Sequence, residues 1–185
     1  MENVYLHMLL LGCKPQGRHT EQHDILFTIS NSLKDAIPHI EKFWPEAKDN
    51  IHIDAWRKVS IVDNFAVSIV EKKREPFIAP DKLFFINLGG YKRGKFEEYH
   101  YKILLVSKNK SDAIKKAKET LFFKENISAH IDDKYGVDVD DIYDVEDILP
   151  LDIKEKYSLQ IIPQSGYDHI ADELNIGYFK LSSFK

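Results

Sequence analysis

Two short patterns of ionisable residues each occur twice in this 185-residue chain. One is Glu-x-His, at Glu21/His23 and again at Glu98/His100; the other is His-x-Asp, at His52/Asp54 and again at His130/Asp132. In an extended strand, residues two apart project from one face, so each pattern sets an imidazole beside a carboxylate. Such a pair can orient a histidine tautomer, exchange protons as acid and base, or ligate a divalent metal. The plainer expectation is structural, with each pair a hydrogen-bonded pin between loop and sheet, because buried polar groups need partners. His7, His19, His39 and His169 have no histidine counterpart in the other half of the chain and read as surface or incidental residues.

A second kind of chemistry sits in the glycine-bounded loops. Gly89-Gly90-Tyr91-Lys92-Arg93-Gly94-Lys95 approaches the spacing of a phosphate-binding loop. Phe96 stands where a Ser or Thr would hold magnesium, however, and a strand, not a helix, is expected to follow. A hairpin connection is the better reading, with Lys14 and Arg18, or Lys92, Arg93 and Lys95, able to bind a small anion at the loop tips. The acidic run from Asp132 to Asp147 lacks the alternating ligands, central glycine and terminal glutamate of a calcium loop. Cys13 has no paired histidine in its own motif and is a poor nucleophile.

The elements that must carry these residues repeat as well. An offset of 77 superposes Leu11–Ile37 on Leu88–Ile114 with nine identities in 27 positions, including both Glu-x-His pairs and the glycines at 12/89 and 17/94. After a one-residue insertion, His52-Ile53-Asp54 falls on His130-Ile131-Asp132. Each half opens with an apolar strand (Val4–Leu11; Leu83–Leu88), a polar loop and a second strand (Asp24–Ser30; Tyr101–Ser107). A helix follows, N-capped by Ser32 or Asn109 with Asp35 or Asp112 three residues on. Its apolar face is Ala36, Ile37, Ile40 and Trp44 in one half and Ala113, Ile114, Ala117 and Leu121 in the other. Pro38 predicts a kink or a late start in the first helix.

Further strands are expected at Ile51–Val62 and Phe65–Val70, turning at Asp63-Asn64, and at Tyr157–Ile162. A short helix at Asp168–Leu174 and a strand at Gly177–Leu181 end the chain. The expected architecture is α+β: a tandem duplication of a β-β-α-β-β unit about a pseudo-twofold axis, with helices on one face of antiparallel or mixed sheets. Its parts are a first repeat over 1–72, a linker over 73–80, and a second repeat over 81–185 with an acidic insertion and a C-terminal extension.

The 26 basic and 30 acidic side chains, net −4, argue against a nucleic-acid partner, which needs clustered positive charge. A single cysteine excludes an intramolecular disulfide framework and fits a reducing compartment. No stretch reaches the roughly 20 apolar residues of a membrane helix. The run ending Leu10-Leu11-Gly12-Cys13 is too short for a signal peptide, is broken by His7, and carries Glu2 where Lys or Arg would stand. A cytoplasmic location follows as the expectation, in a monomer or homodimer.

The segments Leu11 to Asp24 and His52-Ile53-Asp54-Ala55-Trp56 resemble the bacterial family known as domain of unknown function 1543. The second half, through Asn87-Leu88-Gly89-Gly90-Tyr91 and His130 to Asp138, resembles the same domain. The resemblance implies one or two domain copies per chain and no assigned activity, cofactor or catalytic residue. The first functional expectation is therefore a non-catalytic module binding a protein or small ligand through its repeated loops, with no cofactor. The alternative is a metal-dependent or acid/base hydrolase using Glu21, His23, His52, Asp54, Glu98, His100, His130 and Asp132.

Overall fold

A computed structural model describes residues 4–72, 80–91, 94–119, 139–164 and 172–184. The chain forms two compact units, one of Met1–Arg74 with Leu149–Lys185, the other Glu75–Ile148. The C-terminal segment thus belongs with the first unit and not, as the repeat boundaries 81–185 implied, with the second.

The first unit is built on a hairpin of β1 (Tyr5–Cys13) and β2 (Gln22–Ser30). Helix α1 (Leu33–Phe43) follows, and β3 (His52–Lys58) returns antiparallel to the free edge of β1. Ser32 caps the helix through its side-chain oxygen, which accepts from the Asp35 N–H. The helix starts at Leu33 and runs through Pro38 to Phe43, so the late start that the proline predicted is not what forms. Leu33, Ala36, Ile37 and Ile40 bury against Leu9, Leu11, Leu26 and Ile53, placing the helix on one face of the sheet.

The second unit repeats this order with β6 (Lys82–Tyr91), β7 (Glu98–Ser107), α2 (Lys110–Lys118) and β8 (Val139–Asp144). Its sheet runs β7-β6-β8, matching β2-β1-β3, and every pairing is antiparallel. Asn109 caps α2 as Ser32 caps α1, accepting from the Asp112 N–H, and Ala113 and Ala117 bury against Phe84, Ile86 and Leu88. The acidic stretch read as an insertion therefore contains the third strand. Its aspartates depress strand propensity, but Val139 and Ile142 pack against the core under α2 and hold it there.

Two differences set the first unit apart. Strand β10 (Asn175–Lys180) adds to the far edge of β3, giving the order β10-β3-β1-β2. A separate small sheet pairs β4 (Ile61–Val62) with β5 (Phe65–Glu71), and β5 with β9 (Tyr157–Pro163). The turn at Asp63 and Asn64 forms as expected, both residues at positive φ, 50° and 65°. A helix the sequence reading missed, α3 (Leu151–Lys156), precedes β9. The helix expected at Asp168–Leu174 lies mostly outside the described residues, and its last three residues are not helical.

Two histidines taken as incidental are structural. His39 is held between Thr28 Oγ1 at 2.7 Å and Asp152 Oδ2 at 2.9 Å, fastening α3 to α1, and that contact holds the Asp152 carboxyl below its ordinary value. His7 is 1% exposed. Ser30 Oγ donates to the Ser32 carbonyl, so it accepts from His7 Nδ1 at 3.4 Å, leaving the buried Nε2 without a partner.

Burial, then the nearby Lys58 charge, lowers the His7 pKa from 6.5 to about 4. A folded pKa below the unfolded one means that the unfolded chain binds the extra proton first. Stability is therefore present above pH 6.5 and lost as the pH falls toward 4, with about 2 kcal/mol gone between pH 7 and pH 5. Denaturant unfolding across that range measures it, and His7→Leu should flatten the slope.

Candidate functional site

At the loop end of the first sheet, Gly12 of β1 pairs with His23 of β2 on one side and His52 of β3 on the other. Cross-strand partners share a face, so both imidazoles rise from the face opposite α1. A β-bulge between Leu10 and Leu11 sets Ile53 opposite Leu11 and Ala55 opposite Leu10, making Asp54 the extra residue. Asp54, two residues from His52, shares its face, and the bulge lies beside the cluster, as bulges at functional sites do.

Four side chains then converge. His23 Nε2 lies 3.1 Å from Asp54 Oδ2 and 3.7 Å from Glu21 Oε2. His52 Nε2 lies 3.2 Å from Glu21 Oε1 and 3.3 Å from Asp54 Oδ1. Gly12 makes room for them. A Cβ there would come inside 3.0 Å of both Asp54 Oδ2 and His52 Nε2, so the two side chains fold across space that only glycine leaves open.

The protonation of His52 is fixed by its other nitrogen. Nδ1 lies 3.3 Å from the Asn50 carbonyl, which can only accept, so Nδ1 carries a proton and donates it there. Nε2 faces two carboxylate oxygens. His52 is 3% exposed, and neither its Nε2 nor Asp54 Oδ2 has a partner in hydrogen-bonding geometry. Such close nitrogen-to-oxygen approaches without hydrogen-bonding geometry suit a cation shared between the imidazole and the carboxylates, a proton or a metal ion. The Tyr178 ring of β10 packs over the imidazole, centroids 4.3 Å apart, and seals it from one side.

The second unit builds a related cluster. Gly89 pairs with His100, and a Cβ at Gly89 would come inside 3.0 Å of Asp140. The bulge recurs between Asn87 and Leu88, and Asp140 is again the extra residue. His100 Nε2 stands 3.2 Å from Asp140 Oδ2 and 3.9 Å from Glu98 Oε2, and one ligand atom from each of the three lies within 4.8 Å of the others. Asp140 is thus the counterpart of Asp54. The sequence alignment put Asp132 in that role; His130 and Asp132 lie outside the described residues. The signal for Asp140 was register: Val139 must face the core as Ile53 does, which places an aspartate next.

The loop residues fare differently. Arg18 lines a cleft of about 610 Å³ with Gln16, Gln22, Trp44 and Lys48, the last at a positive φ of 49°. Lys14 and Lys95 are exposed, and Lys92 and Arg93 lie outside the described residues. Gly17 and Gly94 adopt positive φ of 81° and 74°, the hairpin conformation expected of them. Cys13 is buried and its thiol pKa is raised, first by burial and then by Glu21, which agrees with its rejection as a nucleophile. No helix among the described residues is long and apolar enough to cross a membrane.

Fold and site together define an α+β protein of antiparallel sheets with helices on one face, each three-stranded core ending in a glycine-cradled histidine and carboxylate cluster. The chain carries, over residues 18–69, a match to the family described as Domain of Unknown Function (DUF1543), as the resemblance implied. That segment spans all four residues of the first cluster. No curated protein matches the chain. Among solved structures, the crystal structure of a protein Il1583 from Idiomarina loihiensis is similar, with a TM-score of 0.65 at 18% identity over 97% of this chain and 99% of that one, a likeness of fold.

Proposed function

We propose that this protein binds a divalent metal ion of the borderline class, zinc foremost, through Glu21, His23, His52 and Asp54. The observation that carries this reading is the buried His52 Nε2, 3.2 and 3.3 Å from oxygens of two carboxylates and without a partner in hydrogen-bonding geometry. A divalent ion bound by two carboxylates and two neutral imidazoles gives a site of zero net charge. Tetrahedral ligands at bonds of about 2.0–2.1 Å stand roughly 3.3–3.4 Å apart. The imidazole-to-carboxylate separations of 3.1, 3.2, 3.3 and 3.7 Å are of that size but run to different oxygens of each carboxylate, so Glu21 and Asp54 would turn to offer one oxygen each to a shared ion. Two nitrogens and two oxygens favour zinc over calcium or magnesium, which prefer oxygen alone. The Asn50 carbonyl is the outer partner that commonly fixes a ligating imidazole.

Elemental analysis after exhaustive dialysis tests the reading. One zinc per chain is expected in the wild type and in His19→Ala, and none at the first site in His52→Ala. A wild type that retains no zinc and whose His52 ring is shown by nitrogen NMR to be doubly protonated would replace the metal with a proton, favouring acid/base use of the cluster.

A second reading, a small-ligand module, draws support from the cleft beside the same loops. Arg18, Lys48 and the Trp44 ring suit a small carboxylate or phosphate.

A further inference from the structure

We propose that the second unit holds a second, exchangeable divalent cation through Glu98, His100 and Asp140, at a site that keeps water in its coordination sphere. This deepens the metal-binding reading and rests on it for the kinship of the two clusters, though its ligands and its test are separate. The second cluster differs from the first in its donors and in the strand beside it, and shares its glycine cradle.

The donor set comes first. The described residues bring together one imidazole and two carboxylates, with one ligand atom from each inside 4.8 Å of the others. The first cluster brings two imidazoles and two carboxylates. Fewer nitrogens and a larger oxygen share move the preference toward manganese and magnesium. The three ligands among the described residues fill half of the octahedral shell those ions favour, which leaves positions for water or for oxygens of an anionic ligand.

Exposure is similar at the matching residues. The side chains of Glu98, His100 and Asp140 are 32%, 36% and 28% exposed, beside 45%, 42% and 25% for Glu21, His23 and Asp54, and His52 alone is nearly closed off. The cause is a difference in the sheets. In the first unit β10 adds a fourth strand beside β3 and lays Tyr178 over His52. In the second unit β8 is the sheet edge among the described residues. The partial exposure of Glu98, His100 and Asp140 lets water reach the second cluster.

The cradle is the independent sign that this cluster is built and not a chance meeting of surface charges. Gly89 has a negative-φ strand conformation that any residue adopts, yet a Cβ there would come inside 3.0 Å of the Asp140 carboxylate. The bulge that swings Asp140 over Gly89 occurs at the position equivalent to that of Asp54 over Gly12. Beside it, Asn87 donates to Asp141 Oδ2 at 3.2 Å and leaves its own buried carbonyl oxygen unpartnered, so the surroundings are polar where the first site has Leu10 and Ala55.

The test uses the full chain, first loaded with zinc and then titrated with manganese(II). Electron paramagnetic resonance should count one bound manganese per chain. Water-proton relaxation should be enhanced severalfold, as inner-sphere water on the ion requires. His100→Gln and Asp140→Asn should each weaken manganese binding at least tenfold while leaving the zinc content of the first site unchanged. His52→Ala should lose that zinc and keep the manganese. Circular dichroism of each variant confirms folding; because all three second-site residues are partly exposed, Asp140→Asn serves if His100→Gln unfolds. No bound manganese in folded wild-type protein, or binding without relaxation enhancement, overturns the proposal. So does manganese that survives both second-unit substitutions. Failure of zinc at the first site with manganese still lost in Asp140→Asn would sink the reading of the first cluster and leave this one standing.

Discussion

Zinc at a thousandfold excess over its dissociation constant is expected to raise the unfolding temperature of the wild-type chain by roughly 8–16 °C and to leave His52→Ala unmoved. An ion that binds only the folded state at that excess stabilises it by about 4 kcal/mol. In a protein of this length each kcal/mol is worth roughly 2–4 °C. The ion would bind at once Glu21, Asp54 and two imidazoles, one of them buried with no hydrogen-bond partner at Nε2. His52→Ala takes away the ligand that is most buried and already fixed in tautomer by Asn50. Calorimetry of both proteins, with zinc and with chelator, checks the shift. An equal shift in the variant would place the stabilising ion elsewhere.

The second large effect comes from a methyl group. Gly12→Ala is expected to weaken zinc binding at least about 100-fold while the metal-free protein stays folded. The added Cβ falls where Asp54 Oδ2 and His52 Nε2 lie, so two of four ligands must move. Tyr178 packs on the His52 ring and limits its retreat. Losses of 10- to 100-fold already follow from changes to residues that only support metal ligands, so displacing the ligands themselves sets a floor near the upper figure. The fold tolerates the change better, at a cost of about 1–3 kcal/mol for overpacking, because the strained atoms are side-chain ends. Gly17→Ala should show the opposite signature. Its φ of 81° strains an alanine, nothing lies within 4 Å of the new Cβ, and zinc affinity should hold. Paired metal titrations and denaturant curves of the two variants separate site from fold.

How much of this was legible in the sequence follows from which interactions are local. The hairpin strands, both helix caps and the Asp63-Asn64 turn were readable because each depends on residues a few positions apart. Glu21 with His23 and Glu98 with His100 were readable for the same reason, as a two-residue spacing fixes a shared face. The third ligand of the second cluster was not. Asp140 reaches His100 only through the pairing of β8 with β6 and a bulge in it, and the acidic run masked the strand's apolar positions at Val139 and Ile142. His7 was misread because its neighbours gave no hint that the residue breaking an apolar run lies inside the core. The assignment of β9 and β10 to the first unit rests wholly on pairing across about a hundred residues, which spacing cannot report.

The glycines join the two levels. Gly12 and Gly89 are identical under the repeat offset, and hairpin geometry alone would account for Gly17 and Gly94 at the loop tips. It does not account for Gly12 and Gly89, which sit in regular strand. Their reason appears only when the neighbouring strand is in place and its side chains fold over the vacant Cβ position. A glycine in a strand that faces a polar cluster is thus a marker of close approach, readable in principle from the glycine itself.

The most direct measurement is anomalous diffraction at the zinc absorption edge from crystals of the zinc-loaded protein. The account predicts a peak bonded to Nε2 of His23, Nε2 of His52 and oxygens of Glu21 and Asp54, at about 2.0–2.2 Å from each. A map with no peak there, and hydrogen bonds joining those imidazoles to the carboxylates instead, would contradict it.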